Sequence, residues 1–284
     1  MTGRVGHEAQ GPGVFEFSAC IRLGSLARPL ASCHSSGSLK LAGIATELLT
    51  AYCSNAIRAC CIGSPPALSS ARRRTNIPYT ILNVESSPLG ERSVSRKLTA
   101  KILAELRAKH PGSTIIDRDL AANPLPHLNA LTVGAFYTPP EQRNEALSEA
   151  IKLSDEAVDE VFAADIIVIG APMHNFSIPS SLKAWIDHIV RTGRTVRYGP
   201  SGPVGLVPSN KKVFIASARG GSYTDDPMRA FDYQETYLKT VLGFIGLTDI
   251  SVVRAEGVGR SADAEQNAMR LAEAQVATAV AKAA

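Results

Sequence analysis

Residues 165–170, Asp-Ile-Ile-Val-Ile-Gly, constrain the fold more than any other stretch of the chain. After the aspartate no side chain is polar, so the segment has no face to offer to water. A strand of this kind belongs in the middle of a parallel sheet with helices on both faces. The chain from Thr80 onward alternates to match. Ile81-Leu82-Asn83-Val84, Thr114-Ile115-Ile116, residues 211–217 and residues 249–255 read as four further strands. Helices are expected over residues 94–109, 144–163, 179–191, 232–243 and 262–281. Ser93 suits the N-cap of the first of these, Leu98, Ile102, Leu103 and Leu106 share one face, and Pro111-Gly112 ends it. The last helix is expected to bury Ala268, Leu271, Ala272, Val276 and Val280. Residues 123–140 form a Pro-rich insertion. Five strands separated by helices imply an α/β fold, a doubly wound parallel sheet with right-handed crossovers. Ligands of such sheets bind beyond the carboxyl ends of the strands. The loops to inspect are therefore residues 85–92, 171–179 and 218–228.

Residues 1–76 follow a different pattern. They carry a net charge of +5, whereas the remaining residues carry −1, so the basic balance of the chain belongs to its beginning. A nearly neutral folded part gives no electrostatic ground for a nucleic-acid partner. All five cysteines, Cys20, Cys33, Cys53, Cys60 and Cys61, also precede residue 62, with no CxxC pair and no zinc spacing. That argues against both a metal site and a secreted disulfide scaffold. A helix is conceivable near residues 38–51, but otherwise the segment lacks periodicity. It reads as a translated upstream region, a targeting peptide or a disordered arm, and the favoured expectation is a disordered, functionally silent extension. A domain is then expected over residues 77–284. No stretch reaches the roughly 18 apolar residues of a membrane span.

Each of the three loops has chemistry of its own. In the first, Ser86 and Ser87 end a strand and Ser93-Val94-Ser95 open a helix, whose free N–H groups suit a phosphate. The plain alternative is an N-cap without a ligand. In the second, Ala-Pro-Met-His-Asn-Phe at 171–176 offers Met173, Asn175 and Phe176 to a flat apolar ring, or else to ordinary packing. In the third, Ala218-Arg219-Gly220-Gly221 follows a buried strand, and paired glycines allow close backbone approach and positive φ. Such pairs are most often turns.

Together the three loops are far more specific than any one of them. With Glu85-Ser86-Ser87-Pro88, Ser93-Val94-Ser95, the 171–176 hexapeptide and Ala218-Arg219-Gly220-Gly221, the chain resembles the FMN-dependent NADH:azoreductase and quinone reductase family. Arg118-Asp119-Leu120-Ala121, Phe244-Ile245-Gly246 and Ala255-Glu256-Gly257 add to the resemblance, which covers residues 80–284. It implies a flavodoxin-like sheet of strand order 2-1-3-4-5 and a cytoplasmic homodimer. It also implies tightly bound FMN, NADH or NADPH as reductant, and quinones or azo compounds as acceptors, reduced by ping-pong hydride transfer. By the same resemblance Ser87, Ser93, Val94 and Ser95 hold the FMN phosphate. The isoalloxazine falls to Met173, His174, Asn175 and Phe176, and to Ala218, Arg219, Gly220 and Gly221. The chemistry is then borne by the flavin, with no catalytic side chain and no metal. At His174 the family often has tyrosine, and the 76-residue extension has no counterpart in the family pattern.

Two rival readings remain, a flavodoxin-like electron carrier and a non-enzymatic FMN-binding module. Carriers of this fold are typically strongly acidic, unlike the −1 found here. Gly257-Val258-Gly259-Arg260-Ser261-Ala262 matches a dinucleotide fingerprint, but only one helix follows it, so it reads as a strand-to-helix loop. Asp187-His188 reads as packing rather than as a catalytic dyad.

Overall fold

The computed structural model describes residues 78–282, except 226. The expectations for residues 1–76, including the helix near 38–51, lie outside the described residues. The first strand, β1 (Thr80–Glu85), is buried along nearly its whole length. It pairs in parallel with β2 (Thr114–Asp119) on one side and with β3 (Ile166–Pro172) on the other. β3 is the apolar run from which the fold was read, and six of its seven residues are buried. Beyond it lie β6 (Lys212–Arg219) and β7 (Asp249–Glu256), again parallel. The sheet order is β2-β1-β3-β6-β7. Taken in chain order, its five strands lie 2-1-3-4-5, as expected.

Helices cover both faces. α1 (Val94–Lys109) and α6 (Ala262–Lys282) pack on one side, where Leu98, Ile102 and Leu106 meet Val168, Phe214 and Val276. Each fully buried leucine or isoleucine there contributes about 1.5–3 kcal/mol of transfer free energy. α3 (Glu145–Ala163), α4 (Ser180–Ile189) and α5 (Tyr233–Phe244) cover the other face, around Trp185. Helix starts follow local chemistry: Ser93, Asn144 and Asp232 each accept a backbone N–H three residues ahead.

Three features differ from expectation. The Pro-rich insertion contains a helix, α2 (Ala130–Tyr137), capped by Asn129. A two-stranded antiparallel hairpin, β4 (Val196–Gly199) with β5 (Gly202–Gly205), stands outside the main sheet. Leu271 is half exposed rather than buried. The buried residues of α6 are Ala268, Ala272, Val276 and Val280, a strict four-residue row, and Leu271 lies beside that row.

Candidate functional site

The three loops meet at the carboxyl edge of the sheet, and hydrogen bonds tie them together. Loop one is tied to β3, just before loop two, where the buried Ser86 hydroxyl donates to the carbonyl of Gly170 at 2.6 Å. Loop two joins loop three where Met173 N–H donates to the carbonyl of Ala218 at 2.8 Å. Gln234 on α5 braces the junction from behind. Its side-chain oxygen accepts from Ser217 at 2.6 Å and its amide donates to Ala171 O at 2.9 Å.

In loop one, Ser87, Ser93, Val94 and Ser95 are all buried around the start of α1. The Ser93 hydroxyl caps Arg96 N–H at 3.3 Å and lies 3.0 Å from the Ser95 hydroxyl. Val94 and Ser95 are the first two residues of the helix, so their N–H groups have no intrahelical acceptor. Those two N–H groups and the neighbouring hydroxyls form a donor set for a phosphate. Arg96 shapes the loop. Its guanidinium donates to the carbonyl of Ser87 through Nε at 3.2 Å and Nη2 at 2.9 Å, and to Asp119 Oδ1 at 2.7 Å. Its hydrogen bond to Asp119 raises the arginine further and holds the aspartate below the usual carboxylate range.

Beneath this loop lies an acid. Glu85 Oε1 accepts from the Thr99 hydroxyl, while Oε2 is buried without a partner. A Cβ at position 170 would collide with that carboxyl, so Gly170 is what gives the carboxyl its place. Burial pushes Glu85 above the ordinary carboxylate range, against the opposing pull of the Thr99 hydrogen bond and the Arg96 charge. A carboxyl biased towards its neutral form is compatible with a phosphate nearby; an ionised one would repel it.

Loop two makes a sharp reversal. His174 and Ser177 exchange backbone hydrogen bonds of 2.9 and 3.0 Å, with Asn175 at φ 48° and Phe176 at φ 70° between them. Two left-handed residues in the centre make this a primed turn, the kind normally filled by Asn-Gly. Asn175 tolerates the conformation, but Phe176 does not do so freely, and strain of this kind collects at ligand sites. The turn presents His174, Asn175 and Phe176 to solvent. The Phe176 ring lies 6.3 Å from Tyr223 and 5.6 Å from Phe231, an exposed aromatic group able to flank a flat ring. Behind the turn is a cleft of about 450 Å³ that includes Lys183 and Tyr237.

Loop three differs in one respect from expectation. Neither Gly220 nor Gly221 has a positive φ. A Cβ on Gly220 would meet no atom within 4 Å, so the ground before it is open, whereas a Cβ on Gly221 would press on the Tyr223 ring at 3.3 Å. Arg219 is 1% exposed and its guanidinium is fully engaged. It donates to Ser217 Oγ at 2.8 Å, Asp232 at 2.7 Å, Glu235 at 3.2 Å and Glu256 at 3.4 Å. Only its backbone is left for a ligand. Burial would raise Glu235, yet hydrogen bonds from Arg254 and Lys239 outweigh it and hold the carboxyl at about 2. The fingerprint-like stretch after β7 braces the same loop, through Val258 N–H to Arg219 O and Gly257 N–H to Gly221 O, both 3.1 Å.

The structure thus gathers every residue expected at the site on one edge of the sheet. Sequence reasoning missed Glu85 as a buried acid, Arg96, Gln234 and the carboxylates around Arg219. Arg96 directly follows the Ser-Val-Ser motif and Asp119 lies in the Arg118-Asp119-Leu120-Ala121 stretch, so that pair had a visible signal. His188 is buried and its Nε2 meets Pro126 O at 2.9 Å, whereas Asp187 pairs with Lys183; they form no dyad.

The donor set of loop one, the open space at Gly220 and the aromatic turn fit a flavin mononucleotide in both its anionic and its flat apolar parts. The model of a family described as "Flavodoxin-like fold" matches residues 79–279. An FMN-dependent NADH:quinone oxidoreductase of Azospirillum brasilense is 50% identical over 198 residues, 69% of this chain and 95% of that protein. One from Herminiimonas arsenicoxydans is 49% identical over 189 residues, 66% and 92% of the two chains. Among solved structures, an FMN-dependent NADH-azoreductase from Bacillus anthracis in complex with FMN has a TM-score of 0.63 at 26% identity. It covers 70% of this chain and 98% of its own.

Proposed function

Because the chain belongs to the flavodoxin-like fold family, we propose that it is an FMN-dependent NAD(P)H oxidoreductase acting on quinones and azo compounds. The observation that carries the reading is the meeting of a phosphate-type donor set, a strained aromatic turn and an open glycine loop at one sheet edge. Ser87, Ser93, Val94 and Ser95 hold the phosphate, with the Val94 and Ser95 N–H groups as the strongest donors. Met173, His174, Asn175 and Phe176 would hold the ring, and Ala218, Gly220 and Gly221 would contact it through the backbone. Arg219 acts through its backbone as well, its side chain serving to hold the loop. When bound, FMN supplies two-electron hydride chemistry, while the protein supplies position and electrostatics.

The chain's own part is to bind, orient and fix. Gln234 and the Ser86 hydroxyl keep the three loops in register. Backbone N–H groups of loop three would supply hydrogen-bond donors to the negative charge of a reduced ring. No side-chain acid or base is required, so His174→Ala should keep turnover at full FMN occupancy. Loss of turnover there would contradict the reading.

The same reading makes the protein a cytoplasmic homodimer, drawing on the cytoplasmic nicotinamide pool. The dimeric reading is supported by three exposed apolar side chains on one short helix, Leu131, Val133 and Tyr137 of α2. Among the described residues no helix is long and apolar enough to cross a membrane.

Steady-state kinetics tests the function. With NADH and a quinone varied together, parallel initial-velocity lines are expected and intersecting lines would refute the alternating use of one site. A protein that oxidised NADH only in the presence of a separate reductase would be the electron carrier instead.

A further inference from the structure

Beneath loop one there are more buried oxygens than hydrogens to serve them. Asn83 and Glu85 are two residues apart on β1, so their side chains leave the same face of the strand. Both are buried. Asn83 Nδ2 donates to Asp117 Oδ1 on β2 at 3.0 Å, while its own Oδ1 has no partner among the described residues. Glu85 Oε1 meets the Thr99 hydroxyl on α1, and Oε2 has no partner. That hydroxyl carries one hydrogen, for which the carbonyl of Arg96 at 2.9 Å also competes. Three buried side-chain oxygens, two of Glu85 and one of Asn83, therefore share at most one hydrogen.

An ionised Glu85 would leave the shortage in place and add a buried charge. From α1 that charge would face Arg96, which is already engaged by Asp119 Oδ1 and the carbonyl of Ser87. From β2 it would face Asp117 and Asp119, and from β3 only Gly170. A proton on Oε2 resolves the shortage. Asn83 is within hydrogen-bonding reach of the Glu85 carboxyl, so Oε2–H can donate to Asn83 Oδ1 while Oε1 keeps Thr99. Turning the Asn83 amide over would not serve, because it sets the amide oxygen against the Asp117 carboxylate. Burial, the largest influence on Glu85, favours the same neutral form.

We propose that Glu85 carries a proton donated to Asn83, and that it is a positioning residue which makes FMN binding proton-linked. The cofactor half of this proposal rests on the flavin reading. Thr99 follows Ser95 by four residues, so the carboxyl lies about one helical turn, roughly 6 Å, below the phosphate donors. Neutral, it leaves those donors to a phosphate; ionised, it repels one across a poorly solvated interior. FMN affinity therefore falls as the pH rises through the point at which Glu85 of the flavin-free protein ionises.

The Kd of FMN, read from the recovery of flavin fluorescence as the full-length holoprotein is diluted, tests the proposal. A glutamine at position 85 offers an N–H to Asn83 as the protonated carboxyl does, so Glu85→Gln mimics the neutral form and should fold. The parent-to-variant ratio of Kd should be about one near pH 5 and climb to about ten near pH 9. Ionisation of the FMN phosphate itself, at about pH 6, cancels in that ratio. With riboflavin, which lacks the phosphate, the ratio should not change with pH. Calorimetry in two buffers of different ionisation heat should show more proton uptake on FMN binding by the parent than by Glu85→Gln. Asn83→Leu removes the acceptor of the proton and should move the parent's rise in Kd to lower pH. A constant ratio, a ratio that climbs equally with riboflavin, or equal proton uptake would overturn the proposal while FMN binding itself stood. An unmoved rise in Asn83→Leu would overturn the part given to Asn83. Protein that bound no FMN at any pH would overturn the flavin reading, and the linkage with it.

Discussion

Arg219 and Arg191 are both almost wholly buried, yet the chain treats them in opposite ways. Around Arg219, Arg254 and Lys239 stand Asp232, Glu235 and Glu256, three cations matched by three carboxylates. Ser217 takes the remaining Nε–H. Around Arg191 a single Asp155 oxygen serves two guanidinium groups, that of Arg191 and that of Arg194, and the Arg191 Nε is unpartnered. A buried charge left unmatched is costly, whereas a matched one fixes the structure around it. Loop three needs a fixed shape to present backbone donors, and a closed network supplies it. Arg191 keeps one buried N–H without an acceptor.

The sharpest way to break this contrast is to remove each arginine. Arg219→Met leaves Asp232 and Glu256 without their cation, while Glu235 keeps Arg254 and Lys239, and should cost about 3–5 kcal/mol in urea unfolding. It should also weaken FMN retention, because loop three loses its anchor. Arg191→Met removes a cation that was never fully matched, so only about 1–2 kcal/mol is expected from the lost bonds to Ser154 and Asp155. Equal losses would dissolve the distinction.

Acid titration separates the clusters next. Glu235 sits at about 2 in the folded chain against 4.5 when unperturbed. Its contribution to stability is therefore fully present above pH 4.5 and is lost as the pH falls towards 2. Glu85 runs the other way: its folded value is raised, so its protonated form favours the folded chain at low pH and that advantage fades as the pH rises through the folded value. Melting temperatures of Glu235→Gln should show a shallower acid limb than the parent, and Glu85→Gln should gain relative to the parent towards neutral pH. The smallest effect is expected for Arg194→Gln, which is itself partly exposed and whose partner Asp159 is largely exposed. Its unfolding free energy should stay within about 0.5 kcal/mol of the parent, since exposed pairs contribute little.

How much of this was visible in the sequence depends on how local its causes are. α1 spans the same sixteen residues that the sequence indicated, because Ser93 and Pro111-Gly112 signal its ends at short range. α2 was hidden because prolines flank an eight-residue apolar helix, although Asn129 caps it in the usual way. β4 and β5 are only four residues each, too short for alternation to register. Leu271 was misplaced because helical spacing narrows the buried face without choosing between neighbours on its rim. The loops of the candidate site were legible, since each is a contiguous motif. The Arg219 network was not, because its partners come from β7, α5 and the α5 N-cap, and only the fold brings them together. The left-handed turn at Asn175-Phe176 was equally hidden, for phenylalanine gives no signal of positive φ.

The central claim, that three loops at one sheet edge hold a working flavin, is tested most directly by the absorbance spectrum of the purified protein. The account predicts a flavin band that persists through gel filtration, bleaches on anaerobic addition of NADH without any other protein, and returns when a quinone is added. A colourless protein that takes up no FMN, or a flavin band that NADH alone leaves intact, would contradict it.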